Sequence, residues 1–173
     1  MFGQARVIVI NRSWELAPWA DILYVADEAF WRTYDGVPKF GGLRVTPAGR
    51  AALTYGLHRV DLLPMNHPDV NRLSPVSRTL ARGGHSGHQA IDLAVQLGAR
   101  RLLLLGLDFI VGNWHGSHVA GLRNSQQHTL DKWRQRVDDL APLLSQRGVD
   151  VVNCSQMSRL TAYRRATVRE ALA

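Results

Sequence analysis

The run Leu102-Leu103-Leu104-Leu105, inside "RLLLLGL" at residues 101–107, is apolar at successive positions rather than alternate ones. A strand of that composition must be buried on both faces, as in the middle of a parallel sheet covered by helices. The residues before it supply the helix. In "SGHQAIDLAVQLG" His88, Asp92 and Gln96 recur every fourth residue as one narrow polar stripe, and Ala90, Ile91, Ala94, Val95 and Leu97 fill the rest. Ser86 followed by Gln89 is a capping-box pattern, so the helix starts at Ser86 or Gly87 and stops at Gly98.

The rest of the chain repeats the alternation. "RVIVI" (6–10) and "ILYVA" (22–26) read as buried strands, and the eleven residues between them leave room only for an irregular link or one helical turn. Residues 28–34 read as helix, "LRVT" (43–46) and "RVDLL" (59–63) as weaker strands, and 65–84 as a long surface loop rich in Pro, Asn, Ser and Gly. Leu130, Trp133, Val137, Leu140 and Leu144 predict one helix from 126 to 146, followed by a strand at "VDVV" (149–152) and a last helix at 167–172. The expected fold is α/β: a single three-layer Rossmann-like domain over 1–173, with a mainly parallel sheet and helices on both faces.

Composition narrows the function classes. No stretch approaches the roughly 20 apolar residues of a membrane span, no signal peptide is legible, and the lone Cys154 allows neither an internal disulfide nor an all-Cys metal site. The cytoplasm is the expected compartment. The net charge of +7 comes from 21 basic against 14 acidic residues, and only Lys39 and Lys132 are lysines. The charges are scattered, which argues against duplex nucleic acid and suits a phosphate-bearing small ligand equally well.

In a parallel α/β sheet, helix amino ends and strand carboxyl ends share one edge, where open sheets bind ligands. That reasoning gathers Asn11, Asp27, Ser86, Asp108 and Asn153. Gly83, Gly84 and Gly87 beside a helix start would let an anionic group approach backbone amides, although Asn, Asp and Ser after strands also serve as plain turn and cap residues. Neither G-x-G-x-x-G nor a P-loop is present, and Gly84-His85-Ser86-Gly87 has the wrong spacing for a nucleophile elbow. The pairs His85-x-x-His88 and His115-x-x-His118 lack an acid or Cys to complete a zinc site, so no metal site is assigned. His115 or His118, in a glycine-punctuated loop, could instead act as a general base or phosphate contact. Asp108 could hold Mg²⁺ or a ribose hydroxyl.

"SGHQAIDLAVQLGARRLLLLGLDF", the His-containing loop after it, "GVDVVNCSQMSRL" and "NRSWELAPWAD" together resemble the Rossmann-like group that joins bacterial sialyltransferases with archaeal 6-hydroxymethyl-dihydropterin pyrophosphokinase-like proteins, including short phage and prophage members. The resemblance implies that Asn11, Ser86, Gly87 and Asp108 border a nucleotide or nucleotide-sugar, and that Asn153 and Ser155 form a second contact group. It implies a catalytic base at His115 or His118, and Mg²⁺ if the transferred group is pyrophosphoryl. Members commonly open with a further strand and a "G-x-G-P-S-L" loop, and no such loop precedes Arg6. Two functions therefore stand: a nucleotide-dependent glycosyl or diphosphate transferase, and a non-catalytic protein binding a nucleotide-like ligand or a host protein.

Overall fold

The computed structural model describes residues 5–112, 114–116, 122 and 124–173. β1 (Ile8–Ile10) leads through a single 3-10 turn (Asn11–Glu15) to β2 (Ile22–Tyr24), α1 (Glu28–Thr33), β3 (Leu43–Thr46), α2 (Gly49–Tyr55) and β4 (His58–Arg59). β5 (Asp61–Leu62), β6 (Thr79–Leu80), α3 (Ser86–Gln96) and β7 (Arg101–Leu104) follow. The chain closes with α4 (Gln127–Asp138), α5 (Ala141–Gln146), β8 (Asp150–Asn153), β9 (Arg164–Arg165) and α6 (Val168–Leu172). Every described strand pairing is parallel. The architecture is α/β and consistent with a Rossmann-like fold, but in three small sheets: β1-β2-β3-β4, β5-β6 and β7-β8-β9.

Alternation along β2 explains the layering. Leu23 and Val25 face a core that includes Phe30 and Trp31 of α1 and Ala51 and Ala52 of α2, whereas Tyr24 faces the other side with Val45, Leu80 and Leu93 of α3. The Trp31 indole, fully buried, donates to the Val25 carbonyl and to Thr46 Oγ1, tying α1 to β2 and β3. A second core, under α4 and α5, collects Leu104, Val137, Leu140, Leu144 and Val151.

The polar stripe of α3 is not a solvated face. Asp92 is fully buried; its carboxylate accepts from the amides of Ser74 (3.1 Å) and Ala81 (2.7 Å). Gln96 accepts from Arg78 N and donates to Thr79 O, and His88 Nε2 lies 3.3 Å from Asn71 O. The segment read as a surface loop is thus pinned to α3: it contains β6 and buries Leu73, Ser74, Leu80 and Ala81. Asp92→Ala would strand two buried backbone N–H groups, each worth about 1–3 kcal/mol. The expected result is a loss of about 2–4 kcal/mol in urea unfolding, with residues 65–84 becoming the first segment to exchange amide protons.

Other sequence expectations are corrected. The 126–146 helix is two helices, because the turn Asp139-Leu140 breaks the ladder and Pro142 starts α5. "RVDLL" contributes to two sheets, with Val60 between β4 and β5. No capping box forms at α3: the cap is His85, whose Nδ1 accepts from Gly87 N, while the Gln89 side chain bonds Tyr24 and Arg82 instead. β7 is not a central strand; it pairs only with β8, and Leu105 beyond it is 59% exposed.

Candidate functional site

The carboxyl ends of β1 and β2 and the amino end of α3 enclose a pocket of about 700 Å³. Asn11, Asp27, Gly84 and Ser86, all expected at the sheet edge, line it. Asn11 ends β1 with φ +48°, a left-handed conformation that Asn tolerates better than most residues and that turns the chain sharply at the strand end. Asp27 follows β2 and caps α1 by accepting from Ala29 N (2.8 Å). Ser86 joins strand edge to helix start, since its Oγ accepts from Ala26 N (3.4 Å). Ile110, Val111 and Trp133 add an apolar wall.

The wall also includes a residue that sequence reasoning weighed only as half of a metal pair. The His85 ring stacks on Trp133 (centroids 5.2 Å apart, planes at 30°) and meets the edge of Phe109 at 5.5 Å. Burial pushes its pKa down to about 3, and the neighbouring His88 and Arg136 push the same way. Its Nδ1 accepts the Gly87 amide (3.1 Å), so in the neutral ring the proton sits on Nε2. Nε2 is buried and has no hydrogen-bond partner among the described residues. The pocket therefore carries a neutral N–H donor with nothing to donate to. Spacing alone could not reveal it, because the stacking partner is contributed by α4, nearly 50 residues downstream.

The glycines of the corner have a different role from the one expected. A Cβ on Gly83 would strike the His88 ring; one on Gly84 would lie 2.8 Å from Trp133 Nε1; one on Gly87 would lie 2.8 Å from Leu107 Cδ2. The room they leave is filled by protein side chains, and the Gly87 amide is already bonded to His85. Arg136 is engaged by the Gly83 carbonyl (3.1 Å). Among the described residues lining the pocket there is no Arg or Lys, and Asp27 is its one carboxylate.

The remaining expected site residues do not join the pocket wall. Asn153 and Ser155 stand at the carboxyl end of β8, where Asn153 Oδ1 accepts from Ser155 N and Ser155 Oγ accepts from Gly106 N (2.6 Å). Both are buried and hold the turn beyond β7. Asp108 is beside that turn; its backbone carbonyl accepts from Arg159 N, and its Oδ1 is buried without a hydrogen-bond partner among the described residues. His115 packs edge-on against Trp114 (5.3 Å), whose ring the Arg12 guanidinium overlies at 5.8 Å. His115 also lies near enough to help lower the Glu15 pKa, after the dominant Arg12 hydrogen bond. It is not a wall residue, although the adjacent Gly116 is. His118 lies outside the described residues. The described residues contain no group of three His, Cys, Asp or Glu side chains arranged to hold a metal ion. No described helix is long and apolar enough to cross a membrane. Comparison with protein-family models, with curated proteins and with solved structures found no match.

Proposed function

We propose that this protein binds a nucleotide-like small molecule in the pocket between Asn11, Asp27, Ser86 and Trp133. The observation that carries the reading is the unpartnered Nε2–H of His85 in a wall that is otherwise part apolar, part amide and hydroxyl. Such a wall suits a planar heterocycle with a ring acceptor for His85 and sugar hydroxyls for Asp27 and Asn11. A strained strand-end residue such as Asn11 is also a frequent mark of binding sites. The pocket's position at the carboxyl edge of parallel strands agrees with where open α/β sheets take ligands.

Group transfer, glycosyl or diphosphate, is the second reading, and the observation in its favour is the loop that brings Gly116, next to His115, to the pocket. In that reading His115 removes the proton of an acceptor hydroxyl, and Asp27 is the carboxylate at hand for Mg²⁺. Thermal-shift titration with CMP, CDP, ATP, GTP and sugar nucleotides, with and without Mg²⁺, tests both readings. At least one nucleotide is expected to stabilise the protein, and Asp27→Ala is expected to weaken binding about tenfold, the loss of roughly one charge-assisted hydrogen bond. Dependence of the shift on Mg²⁺ together with product formation would favour transfer. Absence of a shift with every nucleotide would sink both.

A further inference from the structure

The four-stranded and three-stranded sheets meet across a second cavity, of about 1100 Å³. β1 pairs only with β2, and β7 only with β8, so each keeps one open edge. Both strands line this cavity, and Gly87, Ala90, Ile91 and Ala94 of α3 form its floor. α3 packs against β1 and, through Ile91, shares a core with Leu104 of β7, so it spans the space between the two strands.

Hydrogen-bond alternation shows what the open edges present. Val7 O accepts from Asp21 N and Ile22 N on the β2 side. In a parallel ladder the next residues face the opposite neighbour, so Ile8 and Ile10 direct their N–H and C=O groups towards the cavity. Arg100 O and Leu104 O bond Asp150 N and Cys154 N on the β8 side, which leaves Arg101, Leu103 and Leu105 facing the cavity. Two unpaired parallel edges thus border one apolar slot. Open edges of this kind are the template for strand addition. The side chains agree: Leu105 is 59% and Trp19 73% exposed, and Trp19 also borders the slot. The apolar run 102–105 is built for burial on both faces, which its present neighbours do not supply.

We propose that the slot between β1 and β7 is a strand-acceptor site, taking one extended apolar segment of a separate polypeptide that runs parallel to both edges. No described residue of this chain is free to fill it. The residues directly before Arg6 feed into the start of β1, and a parallel neighbour requires a crossover of about a dozen residues. Apolar side chains on both faces of the guest strand would meet the α3 floor on one side and the exposed Trp19 and Leu105 on the other.

Amide hydrogen exchange followed by NMR tests this, with a capped synthetic peptide of five alternating valines and isoleucines between terminal lysines as the probe. On saturation the amides of Ile8, Ile10, Leu103 and Leu105 are expected to slow at least tenfold, while those of Val9 and Leu104, already bonded within their sheets, stay unchanged. The same peptide N-methylated at alternate residues is expected to give no protection. Because the changes are made in the peptide, folding of the protein is not at issue. No slowing, or equal slowing with the N-methylated peptide, would overturn the proposal. Slowing that rises with protein concentration alone would assign the slot to a second copy and overturn it. So would protection supplied without peptide by a product extended before Met1.

Discussion

Lowering the pH from 7.5 to 5 is expected to cost the native state roughly 4 kcal/mol, most of a typical domain's stability. The cause is a pair of buried imidazoles. Burial depresses His85 to about 3 and His88 to about 4, against about 6.5 in an unfolded chain. With the folded pKa below the unfolded one, the unfolded state binds more protons, so stability is complete above pH 6.5 and falls as the pH drops towards 4. Each ring contributes about 2 kcal/mol over this interval. Asp92 acts with the opposite sign, because burial raises its folded pKa and protonation then favours the native state. Its effect belongs to the region just above the ordinary Asp value of 3.8 and does not offset the histidines at pH 5–6.5. Urea unfolding at pH 7.5, 6.5, 5.5 and 5 measures the slope. His85→Phe keeps a ring against Trp133 and should halve the loss to about 2 kcal/mol, whatever the variant's absolute stability. An unchanged slope would show that His85 titrates normally and is solvated.

Gly83→Ala is expected to destabilise the protein by about 3 kcal/mol, from a left-handed backbone and an overpacked neighbour together. Gly83 has φ +56°, and its missing side chain is replaced by the ring of His88, which is fully buried. The ring cannot retreat without breaking its contact with Asn71 O, so the backbone of the α3 entrance has to move. Gly98→Ala is the control. Gly98 has φ +90° but open space where a Cβ would go, so only the backbone cost of roughly 1 kcal/mol is expected. Thermal or urea unfolding of the two variants distinguishes the terms. Equal losses would mean that His88 does not occupy the glycine's space.

What the sequence revealed and what it hid follow from the range of the interactions. β3 at Leu43–Thr46, α3 from Ser86 and the short turn after β1 were legible because local periodicity and chain length decide them. The gathering of Asn11, Asp27, Gly84 and Ser86 was legible because parallel topology alone brings strand ends and helix starts to one edge. The roles of the glycines were not, since His88, Trp133, Arg136 and Leu107 reach them only through tertiary packing. Ordered structure in 65–84 escaped for the same reason: its backbone is bonded by Asp92 and Gln96, whose polar stripe reads as a solvated face in sequence. The break at Asp139–Leu140 was hidden because Leu140 and Leu144 keep the apolar spacing across it. β7 reads as a central strand and stands at an open edge, which is the discrepancy from which the strand-acceptor site was inferred.

The ligand pocket is tested most directly by chemical-shift mapping of the isotope-labelled protein titrated with the nucleotide that gives the largest thermal shift. The account predicts that the amides of Asn11, Asp27 and Ser86 and the Trp133 indole N–H move together with one saturation curve, and that the His85 ring signal shifts as its Nε2–H gains an acceptor. Perturbations confined to Asp108, Asn153 and Ser155, or none at saturating CMP, CDP, ATP and GTP, would contradict it.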